Sequence, residues 1–123
     1  MISHVSIGVR EVGKAGKFYD AALGALGYKR LYDSAEAVGY GNDSPQLWLM
    51  KAEHPVQADP ASGLHFCFEA KKRADVDHFH ASALKAGGKD NGKPGLRPDY
   101  GENYYAAFVV DPEGYRLEAY CGV

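Results

Sequence analysis

Two histidines and one glutamate stand out by type and position. The stretches HVSIGVREVGKAGKFYDAALGALGYK from His4 and HFCFEAKKRADVDHFHASALKAGGKD from His65 align without a gap at one offset of 61. His4 then matches His65, Phe18 matches Phe79, Ala22 matches Ala83, Leu23 matches Leu84 and Gly27 matches Gly88. The glutamate lies in RLEAY near the end of the chain, where Leu117 and Ala119 take one face of a short strand and Arg116, Glu118 and Tyr120 the other. Two imidazoles and a carboxylate suit a borderline divalent ion and leave positions open for water or substrate, whereas a purely structural zinc site is closed by four protein ligands. Aligning QLWLM with RLEAY sets Trp48 at the position of Glu118, so the first half offers an indole wall instead of a fourth ligand.

The elements that must position these residues follow from periodicity. The first strand alternates Val5, Ile7 and Val9 against His4, Ser6 and Gly8; its counterpart alternates Leu64, Phe66, Phe68 and Ala70 against His65, Cys67 and Glu69. The odd offset reverses parity, and the apolar positions reverse with it. A helix follows each strand, with Ala15, Phe18, Tyr19, Ala22, Leu23 and Leu26 at spacings of three and four, and Val76, Phe79, His80, Ala83 and Leu84 likewise. Gly27 and the Gly87-Gly88 pair supply the stops. Short strands are expected near residues 28–33, 37–40, 46–51, 104–110 and 115–121, with a further, less regular one near Asp90.

This pattern predicts an α+β fold: two βαβββ modules in one domain spanning residues 1–123, with a curved mixed sheet forming a cup and the helices on its outer face. Module one covers about 1–54, a linker about 55–62, and module two about 63–123. If the modules pair through their first strands, His4 and His65 converge in the cup and Glu118 reaches them.

Composition narrows the function classes. The chain is 46% hydrophobic and 24% charged, with a net charge of -2, a balance with no basic stripe for nucleic acid. No apolar run approaches a membrane span, and MISHVSIGVR lacks the pattern of a signal peptide, so a cytoplasmic location is expected and no membrane partner. The two cysteines, Cys67 and Cys121, form no C-x-x-C pair, so no disulfide framework is expected and both are read as small buried residues.

The paired modules, and the stretches HVSIGV, KFYDAALGALGYK, LHFCFEA and DPEGYRLEAY, resemble the vicinal oxygen chelate superfamily. It includes glyoxalase I, fosfomycin-resistance thiol transferases, extradiol dioxygenases and bleomycin-resistance binding proteins. The resemblance covers essentially the whole chain. It implies His4, His65 and Glu118 as ligands of one divalent ion (Zn, Mn, Fe, Co or Ni), the set already reached from parity and repeat. It further implies Lewis-acid chemistry on a small molecule with vicinal oxygens, as a lyase, isomerase or thiol transferase. Trp48 departs from the four-ligand glyoxalase I pattern. The same resemblance allows a metal-free binding module with an aromatic cup, or an Fe(II) extradiol-type dioxygenase. Short two-module chains of this kind commonly form homodimers, and His4 can share a cup with His65 of its own chain or of its neighbour.

Around that centre, the polar stretch NGKPGLRPDYGENYY reads as a loop that binds or covers a site. Arg97 is placed to meet a substrate carboxylate or phosphate, Tyr100, Tyr104 and Tyr105 to stack or donate hydroxyls, and Glu102 to carry a proton beside Glu118. Arg116, Tyr120, Cys67 and Trp48 are the remaining candidate substrate contacts. His78 and His80 stand two apart on a helix, so they diverge and make no chelate.

Overall fold

A computed structural model describes residues 1–123. Its elements are β1 (Val5–Val9), α1 (Val12–Gly24), β2 (Lys29–Asp33), β3 (Ala37–Gly41) and β4 (Pro45–Lys51), then β5 (His65–Glu69), α2 (Arg73–Lys85), β6 (Lys89–Leu96), β7 (Tyr105–Val110) and β8 (Arg116–Cys121). Each half is thus a βαβββ unit. A single turn of 3-10 helix, Pro60–Ser62, interrupts the segment between β4 and β5.

The two units form separate four-stranded mixed sheets, ordered β1-β4-β3-β2 and β5-β8-β7-β6. In each, the first strand pairs in parallel with the last, because the helix carries the chain back over the sheet. The registers confirm the internal correspondence: Ser6 lies across from Trp48, and its repeat partner Cys67 lies across from Glu118.

Both helices place their apolar stripe on the sheet. Ala15, Phe18, Tyr19, Ala22 and Leu23 are buried on α1, and Val76, Phe79, His80 and Ala83 on α2. The two helices also touch one another, so one core of 22 buried residues runs through both halves. Leu84, by contrast, ends at the exposed margin of α2. Gly27, at φ 89, ends the first helix in a left-handed turn that lets the Tyr28 N–H close on the Leu23 carbonyl. Leu117 and Ala119 are buried in the core and alternate with Arg116, Glu118 and Tyr120, as the strand pattern requires.

The first part of the segment expected as a long loop, residues 91–96, is strand. β6 runs to Leu96 with register shifts between Asp90 and Gly92 and again between Gly92 and Gly95, and a short turn over 97–104 returns to β7. The bulges hid its period from the sequence. No helix is long and apolar enough to cross a membrane.

Candidate functional site

The face of the second sheet turned away from α2 gathers the polar side chains. His65 opens β5, and Glu118 sits on the adjacent β8, directly across from Cys67 and from Phe108 of β7. The His65 Nε2 and Glu118 Oε1 atoms are 2.8 Å apart. The glutamate side chain is 6% exposed and the histidine 40%, so the pair is buried on the carboxylate side and open on the imidazole side.

Two further side chains, Tyr104 and Cys67, contact Glu118. The Tyr104 hydroxyl donates to Oε2 at 2.6 Å. The Tyr104 ring stacks on Tyr120 at 4.1 Å, and Tyr100 packs edge-on against Tyr104 at 5.3 Å. The Cys67 thiol lies against Tyr104 and Glu118; although the residue has exposed surface, burial of the thiol end and then the adjacent Glu118 charge push it up to about 12. Burial and the bond to Glu118 likewise raise the Tyr104 phenol above its ordinary value.

Alternation along β7 separates two tyrosines that the sequence reading grouped together. Tyr104 faces Glu118, but Tyr105 falls on the helix side, where its hydroxyl donates to Asp77 Oδ1 at 2.6 Å and Arg73 lies over its ring. Tyr105 thus lies beside α2, apart from the Glu118 cluster. Glu102 is exposed on the turn and has no hydrogen-bond partner, so it does not join the Glu118 cluster. Phe108, missed in the sequence, walls the site 6.0 Å from the His65 ring; its parity with Ala106 and Glu118 was the available signal.

His4 is exposed just before β1, with its Nδ1 2.8 Å from Ser3 Oγ. It does not meet His65 within the chain, and no three His, Cys, Asp or Glu side chains cluster in a way that holds a metal ion. The reason lies in how the first strands pass each other. His4 lines a crevice of about 320 Å³ together with Cys67 and Glu69, toward the far end of β5. At the other end of β1, Gly8 O accepts from the Tyr115 hydroxyl, next to Arg116, the residue directly across from His65. β1 and β5 thus run past one another in opposite senses, which sets His4 and His65 toward opposite ends of a five-residue strand, roughly 13 Å in length.

On the first sheet, the face equivalent to that of Glu118 is aromatic. Trp48 meets Tyr32 edge-on at 5.2 Å, and Gly39 beneath it is bare backbone, since a Cβ there would stand 2.9 Å from the indole.

Sequence and structure comparisons place this geometry in a family. Residues 1–119 match the model of the Glyoxalase/Bleomycin resistance protein/Dioxygenase superfamily, and the chain belongs to it. No curated protein matches the chain. Among solved structures, a glyoxalase/bleomycin resistance protein from Albidiferax ferrireducens T118 is 28% identical, with a TM-score of 0.80 over 97% of this chain and 96% of that one. A glyoxalase-related enzyme from Fulvimarina pelagi (16% identity, TM-score 0.76, covering 98% and 87%) shares the fold. So does the fosfomycin resistance protein FosX from Mesorhizobium loti (15%, TM-score 0.71, covering 100% and 92%).

Proposed function

We propose that the protein is a cytoplasmic, divalent-metal-dependent enzyme of the glyoxalase type, a lyase, isomerase or thiol transferase acting on a small molecule with vicinal oxygens. The observation that carries this reading is the His65 and Glu118 pair, 2.8 Å apart, with its imidazole side open. An imidazole nitrogen and a carboxylate oxygen fit a borderline divalent ion, but they are two ligands of the three expected. His4 is the third, contributed by a second copy in a homodimer, because its own chain sets it at the wrong end of β5. The free thiols Cys67 and Cys121 agree with a reducing compartment.

When bound, the ion supplies Lewis acidity toward adjacent ligand oxygens. The chain's own residues do the remaining work. Tyr104 ties down Glu118 Oε2 and so keeps Oε1 beside His65. Phe108, Tyr104 and Tyr120 wall the face against water, and Glu118 is the buried carboxylate nearest a bound ligand, placed to take a proton. Glu102 stays outside this machinery.

The test is metal content by mass spectrometry on untagged protein, beside Glu118→Ala and His4→Ala, with oligomeric state by light scattering. Each variant is expected to remain folded and to lose its ion. Co-refolding the two variants restores up to one intact site per mixed dimer if His4 acts across the interface, and none if it acts within its own chain. Undiminished metal in Glu118→Ala refutes the site.

A second reading, a metal-free binding module, draws on the exposed Tyr32 packed against the half-buried Trp48. It predicts quenching of the single tryptophan by planar ligands, unaffected by chelator.

A further inference from the structure

The face that carries His65 and Glu118 also carries two guanidinium groups without an acidic partner. Arg97 folds back across β6, donating from Nη1 to the Gly95 carbonyl at 2.9 Å and from Nη2 to the Lys93 carbonyl at 2.6 Å. The fold-back uses bare backbone: a Cβ at Gly92 or Gly95 would lie 3.3 Å from a guanidinium nitrogen. Held this way, Arg97 lies 5.3 Å above the Phe108 ring, itself 6.0 Å from His65. Arg116 stands directly across from His65 on β8, on the same face, and takes part in no side-chain hydrogen bond of the fold.

Arginine ion pairs are made by Arg10 and Arg30. Arg97 and Arg116, both half-buried, have none, whereas the remaining unpaired arginine, Arg73, is exposed. Glu118, the buried carboxylate of this face, is already engaged by His65 and Tyr104. Half-burying a cation without an anion costs solvation, and an arriving oxyanion returns it through charge-assisted bonds that suit the planar guanidinium fork.

We infer that the ligand of this face is a small-molecule oxyanion, carrying a carboxylate or phospho group received by Arg97 and Arg116. The identity of its reacting end, at His65 and Glu118, rests on the function proposed above. The stacking distances through Phe108 keep the Arg97 guanidinium within about 11 Å of the His65 ring, so a compact ligand reaches both.

The test uses chelator-treated, nitrogen-15-labelled protein and follows the arginine Nε–Hε resonances by NMR. Inorganic phosphate and malonate are titrated at ionic strength held constant with chloride. Saturable shifts confined to Arg97 and Arg116 are expected, and the tighter probe decides between a tetrahedral and a planar group. Arg116→Gln and Arg97→Gln each weaken binding about tenfold or more, the equivalent of losing a charge-assisted bond. Because Arg97 also ties down β6, Arg116→Gln carries the test if the other variant fails to fold. Shifts no larger than those from chloride, or spread evenly over all five arginines, overturn the inference. Anion binding in a protein that retains no metal would overturn the metal reading and leave this one standing; metal retention without anion binding would do the reverse.

Discussion

Replacing Tyr104 with phenylalanine removes one oxygen and leaves the ring, so the stack on Tyr120 at 4.1 Å survives while the 2.6 Å hydrogen bond to Glu118 is lost. A hydrogen bond to a charged group contributes about 1.5–3 kcal/mol, and the acceptor here is a buried carboxylate left without that donor. Tyr104 is only half-buried, however, so water replaces part of the lost bond and the expected loss is about 1–2 kcal/mol. For a domain of this size, that lowers Tm by about 3–8 °C. The assay is urea unfolding of Tyr104→Phe, Glu118→Gln and the double variant, with chelator present. A coupling energy of about 1 kcal/mol between the two positions is expected. Under the metal-binding function proposed above, loosening the support of Glu118 is expected to lower metal affinity roughly tenfold to a hundredfold. Additive single variants, or a Tyr104→Phe protein as stable as the parent, would refute the claim that this hydroxyl holds Glu118.

Other consequences follow from the same contacts. Asp111 accepts from the Tyr19 hydroxyl of α1 at 2.5 Å and from the N–H groups of Glu113 and Tyr115 at the DPEG turn, so Asp111→Ala orphans three donors and is expected to cost about 3 kcal/mol or more in urea unfolding. The phenols of Tyr19, Tyr40 and Tyr104 are all raised in the folded protein, chiefly by burial, from an ordinary value of 10.0. The folded state then holds protons that the unfolded state releases, so stability is full below pH 10 and falls as pH rises above it; absorbance at 295 nm should show these phenols ionising together with unfolding, and early independent ionisation would contradict their burial. Gly39→Ala drives a methyl to 2.9 Å from the Trp48 ring, and is expected to cost about 1–3 kcal/mol and to shift the tryptophan emission; an unchanged spectrum would show the indole free to move.

Much of this protein is written in local pattern. The alternation of Leu117 and Ala119 with Glu118, and the three-and-four spacing of Phe18, Tyr19 and Ala22, report which face is buried, because burial follows side-chain direction and direction follows backbone period. The repeat at an offset of 61 carries the βαβββ unit twice, and the strand registers bear out the match between Trp48 and Glu118. Even the divergence of Tyr104 from Tyr105 was present in the alternation rule. The strand β6 was harder to read, because its two register shifts break the period on which the reading depends.

Tertiary structure alone decided what those faces meet. Sequence symmetry makes His4 and His65 equivalent, but equivalence is not proximity: the opposite senses of β1 and β5 put equivalent positions at opposite ends. Glu118 joins His65 through the parallel pairing of β5 with β8, a long-range contact spanning 53 residues, and Arg97 reaches Phe108 only because Gly92 and Gly95 leave room for the fold-back. Local periodicity encodes direction relative to the chain's own backbone. Which directions converge in space depends on how two such units pack, and that is set by the shared core of Phe18, Phe79, Leu117 and their neighbours.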